Sequence, residues 1–245
     1  MIQDMFPIML DGRMVKLPSR PAGATAHLDG FNYHGVIWDF NYQAAGVPFV
    51  RSDTGSVTRA QASLVGGVMT VTNSATDNDE AIEATGAQFL FARGKPIIWG
   101  GRIALTEANT DDCNFLIGLV SGSATNYLGD NGAGPAASYS GANIFKVDGG
   151  TVFQAEVSLA GSQQTDTDIG AVVSAAYVNF HCEIYDKPFS NTDLRVDFYK
   201  DGAKVATYDF TPTSPAQMAF ALEIKNGAGN AEIANYDTAY CVQAR

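Results

Sequence analysis

Short runs of β-branched and aromatic residues recur along this chain, each closed within a few positions by glycine, asparagine or aspartate. That punctuation is the pattern of many strands joined by turns, and it leaves almost no room for a long helix. The sharpest instance runs from Leu194 to Phe210, two alternating stretches around Asp201-Gly202. Glycine, and more tolerantly aspartate, adopts the positive φ that a two-residue hairpin turn demands, so the dipeptide predicts a tight hairpin. Side chains alternate across a strand, which sends Leu194, Val196 and Phe198 to one face and Arg195, Asp197 and Tyr199 to the other. Tyr177 to Tyr185 alternates likewise, with Val178, Phe180, Cys182 and Ile184 on the core side. Met218 to Lys225 turns Met218, Phe220, Leu222 and Ile224 inward, with small or charged residues opposite. Each reads as a strand buried on one face. Ile97 to Leu105 is more continuously apolar, and its Gly100-Gly101 pair predicts a bulge or a close backbone approach. Further strands are expected at Val68 to Thr72, Asn114 to Ser121, Val152 to Leu159 and Tyr236 to Val242. The fold class is all-β, a sandwich or barrel.

With 245 residues, the chain can bury roughly 70–75% of its unfolded surface, so a core forms without disulfide or metal staples. Only 17% of residues are charged, and 26 acidic against 15 basic side chains give a formal net charge of -11. Such a field repels phosphate backbones and anionic lipid heads, so neither nucleic acid nor a membrane is expected as a partner. The stretch from Met1 to Leu10 lacks a basic region and is broken by Asp4 and Pro7, and no apolar run reaches about 18 residues. Neither a signal peptide nor a membrane span is expected. Cys113, Cys182 and Cys241 are odd in number, far apart and free of CxxC spacing. They read as buried free thiols of a protein made in a reducing cytoplasm.

Residues 1–50 differ from the rest. They hold Pro7, Pro18, Pro21 and Pro48, which discourage regular sheet, and Phe31, Tyr33, Trp38, Phe40 and Tyr42, which discourage full disorder. An extended N-terminal arm over 1–50 is expected, ordered by lying on its own sandwich or on a neighbouring subunit, ahead of a β-sandwich domain over 51–245. A plain strand hairpin is the alternative. The segment from Ser121 to Asn143 is rich in glycine, serine and alanine, and its length marks it as functional or mobile.

No zinc-protease, phosphate-loop, nucleophile-elbow or EF-hand motif occurs. Glycoside hydrolysis needs two carboxylates roughly 5–9.5 Å apart, depending on mechanism. Glu183 and Asp186 are offset by three and fall on opposite faces; Asp77 and Asp79 share a face, but no third carboxylate follows at Ala81. Solvated turns are the simpler reading. Hard cations such as calcium take oxygens from irregular loops, which makes Asp77, Asn78, Asp79 and Glu80, then Asp111 and Asp112, then Asp166 and Asp168 the candidates, although acidic loops are usually only wet. No metal or cofactor is assigned. His27, His34 and His181 lack ligand spacing, and His181 beside Glu183 suggests a cross-strand hydrogen bond rather than a triad.

The succession Thr76 to Thr85, Phe89 to Leu105 and Asp112 to Ser121, continued by Tyr177 to Tyr185, the Asp201-Gly202 hairpin and Phe220 to Gly227, resembles the virion structural proteins of tailed bacteriophages. In particular it is similar to capsid decoration or cement proteins with a concanavalin-like jelly-roll fold, over Val57 to Val242. The resemblance implies a two-sheet antiparallel jelly-roll sandwich and an extended strand over Asp79 to Thr85, where local sequence alone also allows a short helix capped by Asp77. It further implies assembly in the host cytoplasm, a place on the capsid surface of the virion, a homotrimer, and the major capsid protein as partner. The expected function is then non-enzymatic. A protein that binds only the assembled shell stabilises it by its binding free energy. In this reading Phe31, Tyr33, Trp38, Phe40 and Tyr42 of the arm make the capsid or subunit contacts, since aromatics are enriched in interface cores. The alternatives are a carbohydrate-binding sandwich or tail-associated adhesin, using exposed Tyr127 and Tyr139 with loop amides and carboxylates, and a sandwich glycosidase using Glu183 or Asp79.

Overall fold

The computed structural model describes residues 7–10, 13–16, 33–40, 49–63, 67–107, 111–122, 126–213 and 216–245. They form strands only: β1 (Pro7–Leu10), β2 (Arg13–Lys16), β3 (Tyr33–Asp39), β4 (Val50–Thr54), β5 (Val57–Ser63), β6 (Val68–Asn73), β7 (Glu80–Ala84), β8 (Ile97–Thr106), β9 (Cys113–Val120), β10 (Gly141–Lys146), β11 (Gln154–Leu159), β12 (Ser162–Asp166), β13 (Tyr177–Asp186), β14 (Leu194–Lys200), β15 (Ala203–Phe210), β16 (Ala219–Asn226) and β17 (Ile233–Ala244). β1 and β2 pair as a hairpin. The rest make two antiparallel sheets, one ordered β12-β11-β10-β9-β16-β7-β4 and the other β15-β14-β13-β8-β17-β6-β5. The all-β two-sheet jelly roll expected from sequence is the observed architecture.

The inward sets of the alternating strands meet between the sheets. Trp99 is fully buried against Phe198 and Phe220, with ring centroids 6.0 and 6.2 Å away. The Asp201-Gly202 turn takes φ of 51° and 81°, as its two-residue loop requires, and joins β14 to β15. Gly100 and Gly101 permit a close approach: a Cβ on Gly100 would lie 2.5 Å from the Phe180 carbonyl, and one on Gly101 2.8 Å from Ile117 Cδ1. The segment Asp79 to Thr85, expected from the resemblance to be extended, is β7, paired with β16 and β4.

Of the two resting places expected for the N-terminal segment, its own sandwich or a neighbouring subunit, Tyr33 to Asp39 takes the first: it is β3 and pairs with β17 of the chain's own eight-stranded sheet. Other expectations are corrected. Trp38 and Phe40 are 8% and 1% exposed and pack in the sandwich core; Trp38 lies 5.3 Å from Phe40 and 5.1 Å from Phe49 by ring centroids. Two of the five proposed contact aromatics are therefore buried within this chain, because aromatic burial there removes as much apolar surface from water as a partner would. Tyr33 is half-buried; Phe31 and Tyr42 lie outside the described residues. The stretch read as a loop to Asn143 ends at Gly141, where β10 begins. β4, β5, β10 and β12 were not among the expected strands, since their sequences are short, polar or glycine-bearing.

The three cysteines are free and buried, and burial pushes all three thiols well above their usual range. Native protein is expected to leave a disulfide-exchange reagent such as DTNB unreacted over an hour, and unfolded protein to consume three equivalents. Rapid labelling of the native form would contradict this core.

Candidate functional site

The Met218 to Lys225 stretch was expected to bury one face, yet every residue of β16 is buried. The second face is covered by the glycine-rich connection between β9 and β10. On that outer face of the seven-stranded sheet, Ile82, Leu116, Val120, Phe145 and Ala221 form an apolar cluster that receives Tyr127, Leu128 and Tyr139 from the connection. The covering chain is itself a small hairpin: Leu128 bridges Pro135, Gly129 N donates to Gly134 O, and Ala136 N donates to Tyr127 O. Asn131, Gly132 and Gly134 turn it with φ of 54°, 72° and 75°.

Two polar anchorages fasten this cover. Toward β7 and β16, Glu80, Glu223 and Lys225 are wholly buried beneath residues 126–131, called here the strap. Lys225 Nζ donates to Asn126 Oδ1 (2.8 Å) and Leu128 O (3.2 Å) and ion-pairs with Asp130 (2.5 Å) and Glu80 (3.5 Å). Leu128 N donates to the Glu223 carboxyl at 3.2 and 3.3 Å, and Asn126 N to Glu80 Oε1 at 3.4 Å. Burial, and then the Glu80 charge, push the Glu223 carboxyl up to about 8 against the opposing pull of Lys225 and the strap amides. Toward β10 and β11, Tyr139 Oη donates to Glu156 Oε1 (2.7 Å) and accepts from Asn143 Nδ2 (2.8 Å). Gln163 and Thr165 also donate to Glu156.

Between the anchorages lies a cleft of about 180 Å³ lined by Val120, Ser121, Asn126, Tyr127, Ser138 and Tyr139. Its polar walls are amide and hydroxyl, and no cation lines it. Tyr127 and Tyr139, expected to be exposed platforms, are only 7% and 5% exposed. They line the cleft while belonging to the apolar cluster on the sheet. This arrangement can bind a small polar ligand by hydrogen bonds from Ser121, Asn126 and Ser138 together with contact to the two tyrosines.

The carboxylates singled out from sequence are not brought together. Glu183 lies on the outer face of the eight-stranded sheet, where His181 Nε2 is 3.3 Å from it and His181 Nδ1 is 2.8 Å from Tyr240 Oη. Asp186 accepts from Gly94 N. Asp79 accepts from Ser74 Oγ and holds the turn before β7. Asp166 and Asp168 accept backbone amides of their own turn, Asp112 accepts from Asn230, and Asn78 accepts from Asn131 N. The Asp111 carbonyl receives Lys146 Nζ, and Asp77 contributes no ligand set. Among the described residues no three His, Cys, Asp or Glu side chains converge as a metal site. Glu80, read as a possible calcium ligand, is instead the partner of Lys225. Glu223 and Lys225 were missed as a site. Their one sequence signal is a pair of opposite charges two apart on a strand, in a chain that also carries a long small-residue connection.

Solved structures share this architecture. The carbohydrate recognition domain of Emp47p matches over 89% of this chain and 99% of its own, at TM-score 0.60 and 10% identity. An endo-1,3-β-glucanase from Streptomyces sioyaensis matches over 92% and 99%, at 0.57 and 10%. Peanut lectin matches over 86% and 98%, at 0.53 and 13%. The fold is the lectin-type, concanavalin-like jelly roll. No family model and no curated protein matches the sequence. The likeness therefore fixes the fold and leaves function to the chain's own residues, and nothing in it points to a virion protein.

Proposed function

We propose that this chain is a non-catalytic carbohydrate-binding sandwich whose ligand sits in the cleft between the strap and Ser138-Tyr139. The observation that carries the reading is the cleft itself, a pocket lined by two tyrosines, one side-chain amide and two serine hydroxyls on the outer face of a lectin-type sheet. Sugars are recognised by this combination of aromatic rings and a few placed hydrogen-bonding groups. The cleft is lined by no carboxylate. Glu80 and Glu223 are sealed under the strap beside Lys225, and Glu156 is taken up by Tyr139, Gln163 and Thr165, so no pair of carboxyls stands ready for a glycosidic bond.

At about 180 Å³ the cleft matches roughly one sugar ring, small beside the several hundred Å³ of an ordinary ligand pocket, so affinity of about millimolar is expected for a short oligosaccharide. A glycan array followed by calorimetry tests it. Native protein is expected to bind a defined set of glycans, and Ser138→Trp, a change at an exposed position on the cleft wall, to abolish that binding without altering the unfolding transition. Absence of any glycan binding by native protein, or unchanged binding by Ser138→Trp, would overturn the assignment.

A further inference from the structure

The strap is fastened by three titratable groups that water does not reach, Glu80, Glu223 and Lys225, and by Asp130, whose side chain is 57% exposed. Glu223 faces Glu80 from β7, Lys225 from its own strand and Tyr127 from the strap, and its charge also reaches Tyr236 of β17; Asp130 of the strap pairs with Lys225, and the direct cross-strand neighbours, Leu116 on β9 and Ile82 on β7, are uncharged. Lys225 is the only cation facing it from these elements, and it is already engaged by Glu80 and by Asp130. The second Glu80 oxygen has no hydrogen bond and depends on that ammonium. With Glu223 neutral, the sealed interior holds one ammonium and one carboxylate. With Glu223 ionised, it holds a second carboxylate with no cation to answer it, and a buried unpaired charge is expelled or hydrated rather than tolerated. Hydration requires lifting the strap, because the strap's Leu128 is what covers the carboxyl.

We propose that the strap is a proton-controlled latch: a protonated Glu223 carboxyl keeps residues 126–131 closed on the sheet, and its ionisation opens them. The consequence for the cleft follows from Asn126 and Tyr127, which belong to the strap and wall the cleft, so an open strap has no intact cleft. That consequence rests on the cleft being the ligand site; the latch itself does not.

The sign follows from linkage. The closed form holds the proton more tightly than the open form, in which the carboxyl returns toward its ordinary value of 4.5. Rising pH therefore favours opening: the part of the closed form's stability that comes from the Glu223 proton is full below about 4.5 and is lost progressively as the pH rises to about 8.

Amide hydrogen exchange on the full chain, without any sugar, tests the latch. Protection factors at Leu128 and Gly129 are expected to fall roughly tenfold between pH 6.5 and 9 in native protein. In Glu223→Gln, which keeps an acceptor for Leu128 N but has no proton to lose, they are expected to stay within about twofold. A native protection factor that is constant to pH 9, or an equal fall in both proteins, would overturn the latch. If the variant folds poorly, carboxyl-13C titration of native Glu223 serves instead: its midpoint must coincide with that of the Tyr127 ring resonances, and separate midpoints sink the proposal. Failure to bind sugar leaves these readouts untouched, so the two proposals fail separately.

Discussion

Lys225→Met is expected to lower the unfolding free energy by about 3–5 kcal/mol, the cost of leaving one partner of a buried ion pair alone. The methionine fills most of the volume but carries no charge, so Glu80 remains wholly buried with one oxygen that has no hydrogen bond and no ammonium to face. Asn126, Leu128 and Asp130 lose their shared donor as well. For a chain of this size the loss amounts to a fall in melting temperature on the order of 10 °C. Lys187, which pairs with Asp209 at the surface with both side chains 31% exposed, is the control; Lys187→Met is expected to stay within about 0.5 kcal/mol. Equal effects of the two substitutions in urea titration would show that the buried cluster is not what holds the cover.

Gly118→Ala is the second large effect. Gly118 lies in β9 between β10 and β16, with φ of +145°, and a Cβ there would meet the Ala142 carbonyl oxygen at 2.5 Å and Asn143 Cα at 2.6 Å. Both are backbone atoms of β10, so neither can swing aside. Strain and overpacking together are expected to cost about 3 kcal/mol or more, or to leave the protein insoluble. Gly86 has no atom within 4 Å of a built Cβ, and Gly86→Ala is expected to be near neutral. Similar melting temperatures for the two alanine variants would mean that β9 and β10 do not approach as closely as described.

These two positions differ in how far they could be read beforehand. Gly118 interrupts the apolar run of β9, where a glycine inside a strand already signals close approach by another backbone. The partner that approaches, β10, has a sequence too small and glycine-bearing to announce itself, so the reason for the glycine came only with the pairing. Lys225 read as the wet side of an alternating strand. Alternation reports that one face is apolar; it does not report whether something distant lies over the other. The same blindness put Tyr127 and Tyr139 in solvent and Trp38 and Phe40 on a partner.

What the chain's residues determined by themselves was local: alternating runs, the Asp201-Gly202 turn, and inward sets that fill the space between two sheets, because period-two burial is a property of a strand and its neighbours in sequence. What only the tertiary structure decided was the fate of the outward faces. The connection from β9 to β10 folds back over β16, and β3 adds itself to β17, through contacts between segments about 100 and 200 residues apart. Such contacts depend on which surfaces the completed sandwich leaves open, and that is a property of the assembled sheets rather than of any single stretch of chain.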